Sequence, residues 1–174
     1  DEKMFLLRNS FMANWDTMIK PYRAYWMLLD RRGRSVSPKD LDNATRYFTA
    51  QDYRDLQVWF NLTWFDPLFK RRDPLLKELI EKGASFTEDE KRLLINKQRE
   101  VMAMIIPEYR KLAEQGRIEL TTTPFYHPIL PLLYDTDLAK IALPDIVLPQ
   151  NRFSHPEDAR VQVERALAYH KNLF

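Results

Sequence analysis

Apolar side chains near the start of the chain recur at intervals of three, four and seven: Phe5, Leu6, Phe11, Met12, Trp15, Met18 and Ile19. That spacing predicts an amphipathic helix over residues 2–20. Pro21 ends or kinks it, because its ring blocks the preceding turn and it has no amide hydrogen to donate. Tyr25, Trp26, Leu28 and Leu29 resume the helical pattern. The polar run Arg31, Arg32, Gly33, Arg34, Ser35 reads as a loop. Ser37-Pro38 restarts a helix, with Ser as N-cap and Pro in the first helical position.

Between residues 51 and 65 the apolar positions crowd together: Tyr53, Leu56, Val58, Trp59, Phe60, Leu62, Trp64 and Phe65. Too many sides are apolar for a simple surface helix, so this one is expected to be buried on more than one face. Its helical spacing makes the aromatic run core rather than a platform for sugars. Asp66-Pro67 closes it. Asp73-Pro74 opens a short helix that Gly83 ends in the left-handed C-terminal position. Lys70, Arg71, Arg72 and Asp73 read as a solvated loop of mixed sign. Thr87 with Glu90 forms a capping box, and the longest helix follows to about Gln115, bent at Pro107 and stopped by Gly116.

At Arg117 the pattern changes. Ile118-Glu119-Leu120-Thr121-Thr122-Thr123 alternates and is rich in Thr, which predicts one short strand over residues 117–123. Pro124, Pro128 and Pro131 stiffen the loop beyond. Asp135 or Thr136 caps a helix to Leu143, and Ser154 with Glu157 forms a second capping box before a last helix over residues 155–174. The outcome is a mainly α chain with one strand. A lone strand is no sheet, so its partners are expected outside this sequence, and the helical start without a leading Met points the same way.

Composition mainly excludes. The chain has no cysteine, which removes disulfides and thiol chemistry. His127, His155 and His170 lie far apart, with no spacing that builds a metal site, so no metal and no cofactor is expected. Three glycines form no phosphate-cradling loop. The net charge of +2 gives no electrostatic case for nucleic acid or an anionic membrane. No apolar run is long enough to span a bilayer. The charged first residues are not a secretory leader, which makes the cytoplasm the expected location, although an exported mature product would begin the same way.

Residues 116–133 resist a pure packing explanation, because polar and aromatic groups crowd a proline-stiffened loop after a short extended run. Such loops hold side chains at reduced entropy. α/β barrels present reactive groups at the C-terminal ends of their strands. Glu119 alternates with Ile118 and Leu120. Its carboxylate either faces a cleft or is simply solvated. His127 could bond a sugar hydroxyl or cap a backbone carbonyl. His155, in the first turn of a helix, reads as part of the cap. Glycoside hydrolysis needs two carboxyl groups, and Asp135 and Asp137, the next acids, begin a helix beyond the loop. No complete active site assembles from these residues.

The run from Gly116 to Leu133, GRIELTTTPFYHPILPLL, resembles the second conserved region of glycoside hydrolase family 57, in its amylase and amylopullulanase branch. Further matches are Trp15-Asp16-Thr17-Met18-Ile19 with Pro21-Tyr22, the stretch from Gln51 to Leu62, Ile106-Pro107-Glu108-Tyr109, and Phe153 with His155-Pro156-Glu157-Asp158-Ala159. The resemblance implies a (β/α)7-type barrel enzyme that acts on α-glucans with retention of configuration. Its Glu nucleophile, its Asp acid and its His-x-Pro signature have no counterpart to place here. Residues 1–115 would be a helical, bundle-like insertion, 116–134 a barrel strand with its loop, and 135–174 a helical segment. Glu119 aligns with a substrate-lining Glu, and His127 falls in the attached loop. Both are expected to contact an α-glucan or oligosaccharide, with no catalysis by this segment alone. The alternatives are a helical interaction or scaffold domain, or a sugar-binding relative without catalysis. An apolar face left exposed could also support a homodimer.

Overall fold

The computed structural model describes residues 2–33 and 37–174. They fall into two compact units, Asp1–Met102 and Ala103–Phe174. The helix α7, Glu88–Glu114, supplies residues 88–102 to the first and 103–114 to the second.

The first unit is built from helices. α1, Glu2–Asn9, stops well short of the predicted end at residue 20. Phe11 instead takes a left-handed φ of 68° and is buried, and its carbonyl accepts the Tyr25 hydroxyl. Asn14 then caps a π-helical turn, Trp15–Ile19, its Oδ1 accepting the Asp16 and Thr17 amides at 3.1 and 3.0 Å. A side-chain oxygen that bonds nearby amides competes with the helical ladder, which is why the apolar periodicity continues while the helix does not.

α2, Arg23–Arg32, takes up two residues of the expected loop. Arg32 is only 2% exposed and donates to the carbonyls of Leu7 at 2.8 Å and Gly33 at 3.2 Å. Arg34 and Ser35, the rest of that loop, lie outside the described residues. α3, Pro38–Tyr47, and α4, Ala50–Thr63, both pack against α2. Ser37 caps the first, and a reciprocal box of Thr49 and Asp52 caps the second.

Trp59 of α4 is the centre of the core. Its ring stacks on Tyr25 and meets the edge of Phe86, with centroids 6.1 Å away in each case, and its Nε1 donates to the Gly83 carbonyl at 2.8 Å. Buried aromatic pairs of this kind add to the area each ring removes from water. Asp66 and Asp73 cap α5, Pro67–Arg72, and α6, Pro74–Lys82, so Lys70, Arg71 and Arg72 of the expected loop are helical and Asp73 alone stays extended, between the two helices. Gly83 ends α6 with a φ of 73°, as its sequence position implies.

In the second unit α7 continues through Pro107 to Glu114. The predicted helix over 135–143 is realised as a 3-10 turn, Thr136–Leu138, and the single turn α9, Ala139–Ala142, after the short α8, Leu130–Tyr134. α10, Pro156–Leu173, packs on α8. The box expected at Ser154 is not formed: the Ser154 hydroxyl donates to the Tyr134 carbonyl at 2.9 Å, and Glu157 meets His155 Nδ1 at 3.0 Å. Backbone bonds from Thr136 to Phe153 and from His155 to Leu133, each 2.9 Å, fasten the two stretches together.

The expected strand over residues 117–123 is not formed, and no strand of a barrel occurs among the described residues. A strand exists only through a ladder to a neighbour. Every regular element offered here is a helix, whose amides and carbonyls are already spent on its own turns. The chain is mainly α, as its periodicity indicates. No helix among the described residues is long and apolar enough to cross a membrane.

Candidate functional site

Gly116 turns the chain out of α7 with a φ of 65°, its amide bonding the Ala113 carbonyl at 2.9 Å and that of Arg117 reaching back to Leu112 at 3.0 Å. These bonds satisfy the last carbonyls of the helix, and a side chain at residue 116 would strain the left-handed backbone. Over the next residues exposure alternates even without a sheet: Ile118 and Leu120 are half-buried and Glu119 is exposed. Among the described residues the Glu119 carboxylate makes no hydrogen bond or ion pair.

Pro124 begins a tight turn closed by the His127 amide on the Pro124 carbonyl at 2.8 Å. His127 sits in the left-handed region at a φ of 55°, which a His tolerates better than most side chains, and it is exposed. Between these ends Phe125 and Tyr126 meet edge to face at 4.9 Å, and Phe125 meets Tyr169 of α10 at 5.8 Å. One residue of α10 pins the turn twice. The Gln162 carbonyl accepts the Phe125 amide at 3.1 Å, and its side-chain oxygen accepts the Tyr126 amide at 2.8 Å. Gln162 carried no signal in the sequence, because a glutamine on a helix surface is ordinary until a loop is laid across it.

The other sequence candidates are engaged elsewhere. Asp135 and Asp137 are gathered by Arg152, which pairs with Asp135 through Nε and Nη2 and reaches Asp137 at 3.4 Å. The Arg152 guanidinium, helped by the Asp137 amide, holds the Asp135 carboxyl below its usual range. His155 lies 4.5 Å from the Phe153 ring and stays in the cap region of α10. No cluster of three potential metal ligands occurs among the described residues.

The sequence model of glycosyl hydrolase family 57 matches residues 12–174. The chain belongs to glycosyl hydrolase family 57. It is therefore a carbohydrate-active enzyme domain, and the family 57 match runs through the whole of the Gly116 turn, the Glu119 run and the Gln162-pinned loop. No curated protein and no solved structure matches the chain.

Proposed function

We propose that this family 57 chain contributes the α-glucan contact surface of a retaining glycoside hydrolase or glucanotransferase, with Glu119 and His127 touching the saccharide. The observation that carries the reading is the Glu119 carboxylate, presented to solvent between two half-buried apolar neighbours and unengaged by any described residue. A carboxylate in that state has its full capacity to accept sugar hydroxyls. Seven residues further on, Tyr126 is 69% exposed on a turn that Gln162 holds fixed, and flat aromatic faces suit the apolar faces of pyranose rings.

On the same reading residues 1–115 act as a helical insertion, 116–134 as the site-bearing stretch and 135–174 as its support. The chain by itself does not turn substrate over. Hydrolysis requires a pair of carboxyl groups flanking the bond, and the next acids along the chain, Asp135 and Asp137, are committed to Arg152.

Calorimetric titration with maltoheptaose tests this. Binding that Glu119→Ala or Tyr126→Ala weakens severalfold, without release of reducing ends, is expected. Equal affinity in wild type and both variants would overturn the assignment of these residues, and turnover above a denatured control would overturn the inactivity of the chain.

One observation favours a second reading. An open apolar trough lies in the second unit, lined by Ile129, Leu132, Leu138, Ile141, Leu143 and Ile146, and it offers almost no polar group to a sugar. It fits a helical interaction domain, which would bind protein and leave maltoheptaose unbound.

A further inference from the structure

In the first unit α4 and α7 lie side by side and run in the same direction: Arg54 meets Glu88, Gln57 meets Lys91, and Asn61 meets Gln98. Two hollows follow one another along this seam. The first, of about 430 Å³, is lined mainly by polar and charged residues, Gln57, Asn61, Lys91, Asn96 and Arg99 among others. The second, of about 340 Å³, is walled by Trp64, Phe65, Phe69, Val101 and Met102. Gln98, in the wall of the second, donates to Asn61 Oδ1 in the first at 3.1 Å, so the two adjoin.

The seam sets an exposed aromatic face beside hydrogen-bonding side chains that are not fully engaged. Trp64 is 60% exposed, whereas Trp59, five residues earlier on the same run, is 2% exposed. The Phe60 ring meets the Trp64 ring edge-on at 6.1 Å and steadies it. Core packing thus accounts for the aromatic run except at this one indole. In the first hollow the side chains of Asn96 and Arg99 make no hydrogen bond among the described residues, and Gln57 spends only its carbonyl oxygen, on Lys91 at 3.0 Å. Lys91 and Arg92 are offset by Glu88 and Asp89, each at 2.7 Å, which leaves Arg99 as the lining cation with no ion pair among the described residues. From residue 92 to residue 102, α7 rises roughly 15 Å, the length of a short oligosaccharide rather than of one sugar.

We propose that the α4–α7 groove is a second glucan-binding site, built from residues other than those at 116–133. Trp64 stacks on one glucose face, and Gln57, Asn96 and Arg99 bond the hydroxyls of the following units. This rests on the α-glucan reading for the class of ligand, and its residues are tested separately.

The test is a titration of the ¹⁵N-labelled chain with maltohexaose, followed at the indole N–H signals. The Trp64 signal is identified by its loss in Trp64→Phe. It is expected to shift with maltohexaose and not with cellohexaose. Trp64→Ala, at an exposed position, is expected to weaken binding read at the Asn96 and Arg99 amides by about tenfold, the effect of losing one aromatic anchor. Arg99→Ala is expected to weaken it at the Trp64 signal, and Glu119→Ala to leave the Trp64 titration unchanged. If the amides of residues 117–127 shift while Trp64 stays still, this inference fails and the proposed function stands. If Trp64 shifts while those amides stay still, this inference stands and the site at Glu119 fails. A Trp64 shift induced only by dextran sulfate and removed by salt would overturn the glucan assignment.

Discussion

Asp55 shows how much one side chain organises in the first unit. It is buried, yet its two oxygens accept the amides of Ser85 and Phe86 at 2.9 Å each and the Gln51 side chain at 2.8 Å, so it ties α4 to the turn before α7. Removing the carboxylate strands the buried Phe86 amide and unties the Ser85 and Gln51 donors. Asp55→Ala is therefore expected to lower stability by about 2–3 kcal/mol, read as a fall in the urea midpoint at unchanged slope. Glu88 is the opposite case, an exposed carboxylate. Hydrogen bonds from Arg54 and then Lys91 hold it down to about 2 from an ordinary 4.5. Because the folded value is the depressed one, the pair's contribution is fully present above about 4.5 and is lost as pH falls from there towards about 2. Arg54→Ala is expected to move the Glu88 titration back up towards 4.5, as followed by carboxyl carbon NMR. Residue identities of this kind were only partly legible. Asp55 reads as one more polar position on a helix, and its role exists only once Ser85 and Phe86 are folded against it.

At the scale of elements, the caps were the most legible feature. Asp66, expected only to close a helix, also opens α5, while Ser37, Asp73 and the Thr87–Glu90 pair cap the helices their positions imply, because a short polar side chain bonding an amide two or three residues on is a local event. In the last of these the Thr87 amide donates to Glu90 Oε2 at 2.6 Å, and the Glu90 amide returns the bond to Thr87 Oγ1 at 3.1 Å. Thr87→Ala is expected to cost about 1 kcal/mol, seen in the thermal midpoint with circular dichroism unchanged. Ser154 shows the limit of local reasoning, since the nearby Tyr134 carbonyl takes its hydroxyl and α10 starts at Pro156 without it. Residues 117–123 show the same limit more strongly. Their alternation is real in the exposure of Ile118, Glu119 and Leu120, but a ladder is a property of two segments, and no second one pairs with this run among the described residues.

Across the molecule the two units differ in kind. The first surrounds Trp59 with a continuous core from Leu7 to Leu94. The second buries Ala166 and leaves Ile141, Val147 and Leu167 exposed, Val147 at 94%. The mainly helical class was legible because a period near 3.6 recurs through most of the chain. The division at residue 102 was not, because α7 runs through it with unbroken periodicity. The candidate site was legible as a stretch, residues 116–133, while its anchoring by Gln162 and the exposed indole of Trp64 required the fold.

The account turns on the Glu119 carboxylate being a sugar-contacting group, and carbodiimide labelling of the 174-residue chain, read by mass spectrometry with and without maltoheptaose, tests this most directly. The prediction is that the free chain labels Glu119 readily and that saccharide suppresses this labelling, with Glu108 and Glu164 unaffected as exposed controls. Labelling of Glu119 at the same rate at saturating saccharide would contradict it.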